Sequence, residues 1–364
     1  MSTTLALLPY PTGCAPGQRY RIEQWAPLLE TEGFSVHLSP FLPAWGMAVL
    51  YDRGHLLTKI QATLVGYARR LRQLRVLRRH DVFFVYREAT LLGPTWIERL
   101  AARHGPVVFD FDDAIFLREV SEANRWAGWL RPPGKTAALC RLARHVTVGN
   151  ETLASFARQH NPRVTVIPST IDTTAYMPLP RGPNPRPVLG WTGSPSTVKY
   201  LAALHPVLLE LRATVDFEML VVGARVELPG IEVRYLPWNA STEADDLRPI
   251  DVGLMPLSED PWSRGKSGMK ALQYMALAIP PVVSPVGVNR EIVRDGRNGF
   301  HASHAREWIE KITLLIQDRH LHDRLGEEAR RTVEQHYSAT VQAPRLARVL
   351  RDALKGRAPS GDAT

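Results

Sequence analysis

Residues 260–300 read DPWSRGKSGMKALQYMALAIPPVVSPVGVNREIVRDGRNGF. The stretch opens with a polar, basic loop (260–266) that follows the apolar run 252–255. Ser267 is expected to cap a helix running from Met269 to Leu277, and Gly268 would let a ligand approach the backbone closely. A strand over 281–284 and a turn through Gly287 then complete a strand–helix–strand unit. The first N–H groups of such a helix lack intrahelical partners and lie at the positive end of its dipole, which makes them an anion site. Arg264, Lys266 and Lys270 add cations at the same place. The alternative is an ordinary capped surface helix with solvated basic residues.

The same alternation runs outward in both directions. Short apolar runs at 5–8, 35–38, 82–86, 107–111, 145–148 and 164–167 are separated by stretches long enough for crossover helices, one of them over 18–32. After a Pro-rich stretch, further strands are expected at 188–191, 217–222, 232–235 and 252–255. Alternating strands and helices of this kind form a mostly parallel sheet covered on both faces. Residues 176–187, YMPLPRGPNPRP, show no periodicity and read as an extended linker. The expected organisation is α/β: a first doubly wound domain over 1–175, a second over 188–340, and a C-terminal stretch 341–364. In that stretch a helix over 342–355 could cross back to the first domain, and the tail from 357 is polar. Ligands of open α/β sheets bind beyond the carboxyl ends of the strands, so two such domains would face each other across a cleft.

Bulk properties narrow the function classes. The 364 residues are 45% hydrophobic, enough for two cores and too apolar for a disordered chain. Two cysteines exclude a disulfide scaffold and any zinc site built on three or four thiolates. The longest apolar candidate for a membrane span, 275–288, is interrupted by Pro280, Pro281 and Pro285. With no leader-like N-terminus, a cytoplasmic protein is expected. The net charge of +9 sits mostly in residues 1–180, where 21 Lys/Arg face 14 Asp/Glu. That bias suits an acidic partner, although Arg is preferred over Lys throughout the chain. Residues 53–79 hold eight Lys/Arg and no acid, with leucines at partly helical spacing. The expectation is that this apolar stripe faces the protein's own core. The alternative is peripheral contact with anionic lipid, which would suit a lipid-linked acceptor.

Three more segments carry chemistry. Residues 189–200, LGWTGSPSTVKY, give a strand, a loop with Gly193 and Ser194, and a helix bearing Lys199 in its first turns. Trp238, after the strand 232–235, could stack on a base or fill a loop. In the N-terminal half, PTGCAPGQRYRIEQ places Gly13 and Gly17 in the first strand-to-helix turn, with Arg19 and Arg21 at the helix start. This is no G-x-G-x-x-G fingerprint, so a dinucleotide cofactor is not expected. VVFDFDDAIF sets Asp110, Asp112 and Asp113 at the end of a buried strand, where three carboxylates must find cations or protons. A D-x-D pair is also a divalent-metal pattern.

The stretch 260–300 resembles the donor-binding signature of retaining, GT-B-fold glycosyltransferases of family 4 (glycosyl transferases group 1). The likeness lies in Gln273-Tyr-Met-Ala, Pro281-Val-Val-Ser, Gly287 with Glu291, and Asp295-Gly-x-x-Gly299-Phe. Asn150 after a strand, and Ile167-Pro-Ser leading to Asp172, extend it to the end of the first half. The resemblance implies two Rossmann-like domains, a nucleoside diphosphate sugar held by the second, and no metal or other cofactor. The family's two signature glutamates fall at Gly265 and Gln273, which departs from the pattern at the sugar and at the ribose respectively. Lys199 matches a leaving-group lysine, whereas the family's Arg position is Ser194. Asp112 stands where a His often lies near the reacting carbon.

On this resemblance, the expected catalytic residues are Asp112, Asp113, Lys199 and Lys266. The expected donor contacts are Gly17, Gly193, Ser194, Trp238, Arg264, Ser267, Gly268, Met269, Lys270, Gln273 and Glu291. Arg19, Arg21 and Arg87 are expected to meet the acceptor, and no residue is expected to bind metal. Transfer of a sugar to an acceptor hydroxyl, with retention, is the function implied; polysaccharide or cell-envelope synthesis would be its setting. The alternatives are a nucleotide-sugar 2-epimerase and a non-catalytic nucleotide-sugar-binding subunit. No module for nucleic acid is present.

Overall fold

The computed structural model of the chain describes residues 1–52, 54–117, 134–180, 182 and 184–355. Arg53 of the basic segment, Arg181 and Pro183 of the Pro-rich stretch, and the polar tail lie outside the described residues.

Two compact units are present, one formed by Met1–Ser169 with the C-terminal stretch from Gln342, the other by Thr170–Val341. The first contains six strands: β1 (Ser2–Leu8), β2 (Phe34–Pro40), β3 (Val82–Tyr86), β4 (Val107–Phe111), β5 (His145–Val148) and β6 (Val164–Val166). They pair in the order β2-β1-β3-β4-β5-β6, and every ladder is parallel. The strand order reverses at β1, whose neighbours β2 and β3 lie on either side; the crevice there is where an open α/β sheet takes its ligand. Both faces are covered, so β3 and β4 are buried along their whole length and read as continuous apolar runs.

The second unit has β7 (Val188–Thr192), β8 (Glu218–Val222), β9 (Val233–Leu236), β10 (Val252–Met255), β11 (Pro281–Val283) and β12 (Phe300–His301). Their order is β12-β11-β10-β7-β8-β9, again all parallel. Here the reversal falls between β7 and β10. Its core is one cluster around Trp191, Phe217, Met219, Leu254, Trp308 and Ile312. The Pro-rich stretch is not a bare linker in this unit: Tyr176 is buried, and Asn184 donates to the carboxylate of Asp251 at 2.7 Å.

Local details depart from the sequence reading in three places. The helix expected over 18–32 is broken into Pro16–Gln18, a π turn Arg19–Glu23 and a helix Ala26–Thr31. Pro27 stands in the first turn of the last piece, where its missing N–H costs nothing, and it therefore restarts rather than continues the helix. Ser267 is not the cap of the helix Met269–Ala276; Gly268 is, at φ +71°. A left-handed turn into that helix suits glycine and strains any other residue. The two-residue β12 pairs with β11 but carries too short a pattern to be read from sequence.

Candidate functional site

In the second unit, the loops following β7, β8, β9 and β10 bring the expected donor residues together. Gly193 follows β7 so tightly that a Cβ there would lie 2.5 Å from the Trp191 ring. Gly223, after β8, packs on it in turn: its own Cβ would meet the Gly193 carbonyl at 2.5 Å and Trp238 Cβ at 3.3 Å. Ser194 is exposed, its hydroxyl 2.9 Å from that of Ser196. Lys199 is also exposed and its ammonium lies 5.2 Å from the Tyr200 ring. Tyr200 accepts a hydrogen bond from Ser263 at 3.0 Å, which ties the lysine-bearing helix Val198–Ala203 to the short helix Pro261–Arg264.

The helix Met269–Ala276 completes this wall. Lys270 in its first turn places its ammonium 5.3 Å from the Trp191 ring, and the phenol of Tyr274 accepts from the Thr192 N–H at 3.0 Å. The two contacts tie the helix to the end of β7, Lys270 from its first turn and Tyr274 from its last, beside the strand reversal between β7 and β10. Lys266 lies 4.9 Å from the Trp262 ring. Arg264 is directed elsewhere, onto the exposed carboxylate of Glu259. The turn through Gly287 closes the back: a Cβ at Gly287 would meet the Arg264 carbonyl at 2.6 Å, and one at Gly268 would meet Ile292 at 2.3 Å. Glu291, on the helix Asn289–Ile292, is exposed.

Sequence reading missed Glu243. Its buried carboxylate accepts hydrogen bonds from Trp238 Nε1 at 2.8 Å, Gln273 Nε2 at 2.8 Å and the Tyr176 hydroxyl at 2.7 Å. A carboxylate thus stands beside Gln273 although position 273 itself carries an amide. The nearest signal in the sequence was an acid five residues after Trp238 at the start of the helix Glu243–Leu247, which a generic helix-start acid also explains. Glu243→Ala is expected to lower the unfolding free energy by about 1–3 kcal/mol, because it strands buried donors. Glu243→Gln, which keeps one acceptor, should lose less. Urea titration of both variants checks this; an alanine variant as stable as wild type would show that the network holds nothing.

In the first unit the acidic cluster lies at the end of β4, next to the reversal at β1. Asp112 accepts from the Tyr86 hydroxyl at 2.9 Å and from Arg87 Nε at 2.9 Å, while Arg87 also bridges Asp113. Gly17 packs on this group: a Cβ would lie 2.5 Å from Tyr86 Oη and 2.8 Å from Asp112 Oδ2. Arg87 takes φ +58°, a conformation unusual for a residue with a side chain and frequent at functional sites. Burial works against its charge, yet Asp112, Tyr86 and Asp113 together carry its pKa well above the usual arginine value. Burial pushes the Tyr86 phenol up as well, so it stays a proton donor to Asp112. Tyr86 is a second residue that sequence reading missed, hidden in an apolar strand.

Arg19 is half-buried over the Tyr20 ring. Arg21 is 0% exposed: it donates from Nε to Asp110 at 3.0 Å, pairs with the other Asp110 oxygen, and reaches the Ile167 carbonyl. Thr147 also donates to Asp110, at 2.6 Å. The acceptor contact expected of Arg21 therefore gives way to a structural ion pair, because its guanidinium is enclosed by its own chain. The three clustered carboxylates meet guanidiniums, and among the described residues no group of three or more His, Cys, Asp or Glu side chains is placed to hold a metal ion.

Residues 186–318 match the family model described as glycosyl transferases group 1. A search of curated proteins finds no match. Among solved structures, a glycosyltransferase from Rickettsia africae ESF-5 is similar at 14% identity, covering 98% of this chain and 99% of that one, with a TM-score of 0.68. Sucrose-phosphate synthase from Thermosynechococcus elongatus is similar at 13% identity over 98% and 100%, with a TM-score of 0.71. Anabaena HepE, solved with UDP-glucose, is similar at 15% identity over 97% and 100%, with a TM-score of 0.64. The chain therefore has the GT-B glycosyltransferase fold, and its stretch 186–318 is similar to a glycosyl transferases group 1 domain.

Proposed function

We propose that this protein is a glycosyltransferase that moves a sugar from a nucleoside diphosphate donor to an acceptor hydroxyl with retention, as an enzyme of family 4 and without a metal. The observation that supports this reading is that Lys199 follows β7 while Lys266 and Lys270 follow β10, the two strands at the reversal of the second unit, with Lys270 in the first turn of the helix Met269–Ala276 and beside Trp191. Cations and a helix start on these two segments can neutralise a departing diphosphate, the main electrostatic task when a sugar leaves as an oxocarbenium-like species. They would do so in place of a divalent ion. The base would lie against Trp238 and the ribose toward Gln273, whose amide is oriented by Glu243. HepE, crystallised with UDP and with UDP-glucose, makes a uridine donor the first candidate for this chain.

To the acceptor we assign Arg19 and the Tyr86–Arg87–Asp112–Asp113 cluster of the first unit; Gly17, packed on that cluster, stays assigned to the donor. Asp112 is the group we assign to the acceptor hydroxyl or the donor sugar. Two free cysteines and the anionic donor suit the cytoplasm, with the acceptor presented at the inner face of a membrane. Calorimetric titration with UDP, ADP and GDP tests the donor site. One of them is expected to bind and to raise the melting temperature, as any ligand of the folded form does. Absence of binding by all three and by their sugars would overturn the assignment. Donor binding without transfer to any acceptor would instead identify a binding subunit.

A further inference from the structure

We propose that the helix Leu56–Gln73 is a docking surface for anionic lipid bilayers. Its inward residues are Lys59, Ala62, Gly66 and Arg70, an unusual set for a helix packed on a core. Small residues permit close approach: a Cβ at Gly66 would lie 2.6 Å from the Phe41 ring. Arg70 spends its guanidinium on the carbonyls of Leu8, Ser39 and Ala89, which end β1 and β2 or follow β3. With the inner face occupied by small and cationic residues, the large apolar ones turn outward. Leu57 is 77% exposed, Leu64 63% and Leu71 52%, with Ile60 between the first two. The part of the stripe carried by this helix, expected to face the core, is thus on the solvent side, whereas Leu77 beyond it is buried as expected.

This ridge is the largest concentration of its kind among the described residues. Eight of their 14 exposed large hydrophobic side chains fall between Trp45 and Leu71, and Trp45 and Tyr51 extend the ridge at its start. A contiguous apolar patch of this sort marks an interaction surface. Charge selects the partner. Beyond Leu71 the outward residues are Arg72, Arg75, Arg78 and Arg79, all exposed, and the sequence from 53 to 79 contains no acid. Apolar side chains followed by exposed arginines match the interface of a membrane with negative headgroups. A recess of about 380 Å³ between β2 and this helix, walled by Arg69 and Arg72, lies at the basic end of the ridge. No helix of the described residues is long and apolar enough to cross a membrane, so the contact is peripheral.

The inference deepens the functional reading by naming the partner of the acceptor-side unit, and it rests on that reading only for placing the acceptor at a membrane. Its test is co-sedimentation of the full chain with vesicles of phosphatidylcholine containing about a third phosphatidylglycerol, against pure phosphatidylcholine. Binding is expected to the anionic vesicles, at least tenfold weaker to neutral ones and weakened again in 0.5 M salt. The combined substitution Leu57→Ser, Ile60→Ser, Leu64→Ser is expected to reduce it at least tenfold, with an unchanged melting temperature; Arg75→Glu with Arg79→Glu should do the same through charge alone. Failure of the wild-type chain to sediment, or undiminished binding by both variants, would overturn the proposal. So would a concentration-dependent dimer abolished by the serine substitutions, which would make the ridge a contact between copies. Nucleotide binding measured on the same samples is independent of these outcomes, so loss of it would count against the donor site and not against the docking surface.

Discussion

Arg21→Ala is expected to lower the unfolding free energy by about 3–5 kcal/mol, the cost of leaving a buried charge without its partner. Arg21 and Asp110 are both 0% exposed, and the guanidinium also lies 5.0 Å from the Trp25 ring. Burial disfavours the arginine charge, and the attraction of Asp110 outweighs it and carries the pKa up. Removal would leave Asp110 with the Thr147 hydroxyl and no guanidinium. For a unit of this size the melting temperature should fall by roughly 6–20 °C. Combining Arg21→Ala with Asp110→Asn should recover part of the loss, since the stranded carboxylate is then gone. A stable Arg21→Ala protein with only a raised KM for acceptor would return Arg21 to the acceptor site.

The second large effect belongs to turnover. Lys199→Ala and Lys266→Ala are each expected to lower kcat with the identified donor by about ten- to a hundredfold, as loss of a preorganised charge on a leaving group does. Stability should hardly change, because both ammonium groups lie near the surface beside Tyr200 and Trp262. The effect should fall on kcat more than on KM, since the diphosphate gains negative charge as the sugar departs. The double variant should be less than additive, because the Ser263–Tyr200 hydrogen bond links the elements that carry the two lysines. Wild-type rates in both single variants would remove these residues from the mechanism.

Much of this architecture is legible in the chain because buried parallel strands are short apolar runs with polar ends. β3, β4, β5 and β10 coincide with the runs at 82–86, 107–111, 145–148 and 252–255. Helix ends were less legible. The cap moved from Ser267 to Gly268 because the chain must turn through a left-handed conformation before the first helical turn. Of the site, the positions of Lys199, Lys270 and Gln273 on helices could be anticipated, since strand, loop and helix follow one another within a few residues. Glu243 could not. It meets Gln273 across 30 positions, and Tyr176 reaches Gln273 across 97.

By itself the sequence determined the two runs of alternating strands and helices, the glycines at their turns, and the crowding of basic residues near 264–270. These are local matters of backbone preference and spacing. Only the tertiary structure decided which charges are spent. It enclosed Arg21 with Asp110 from 89 positions away, joined Arg87 to Asp112, and turned the leucines of the helix Leu56–Gln73 outward. The physical reason is common to all three: local pattern shows where a charge or an apolar face lies along the chain, but what covers it depends on partners that only folding brings within reach.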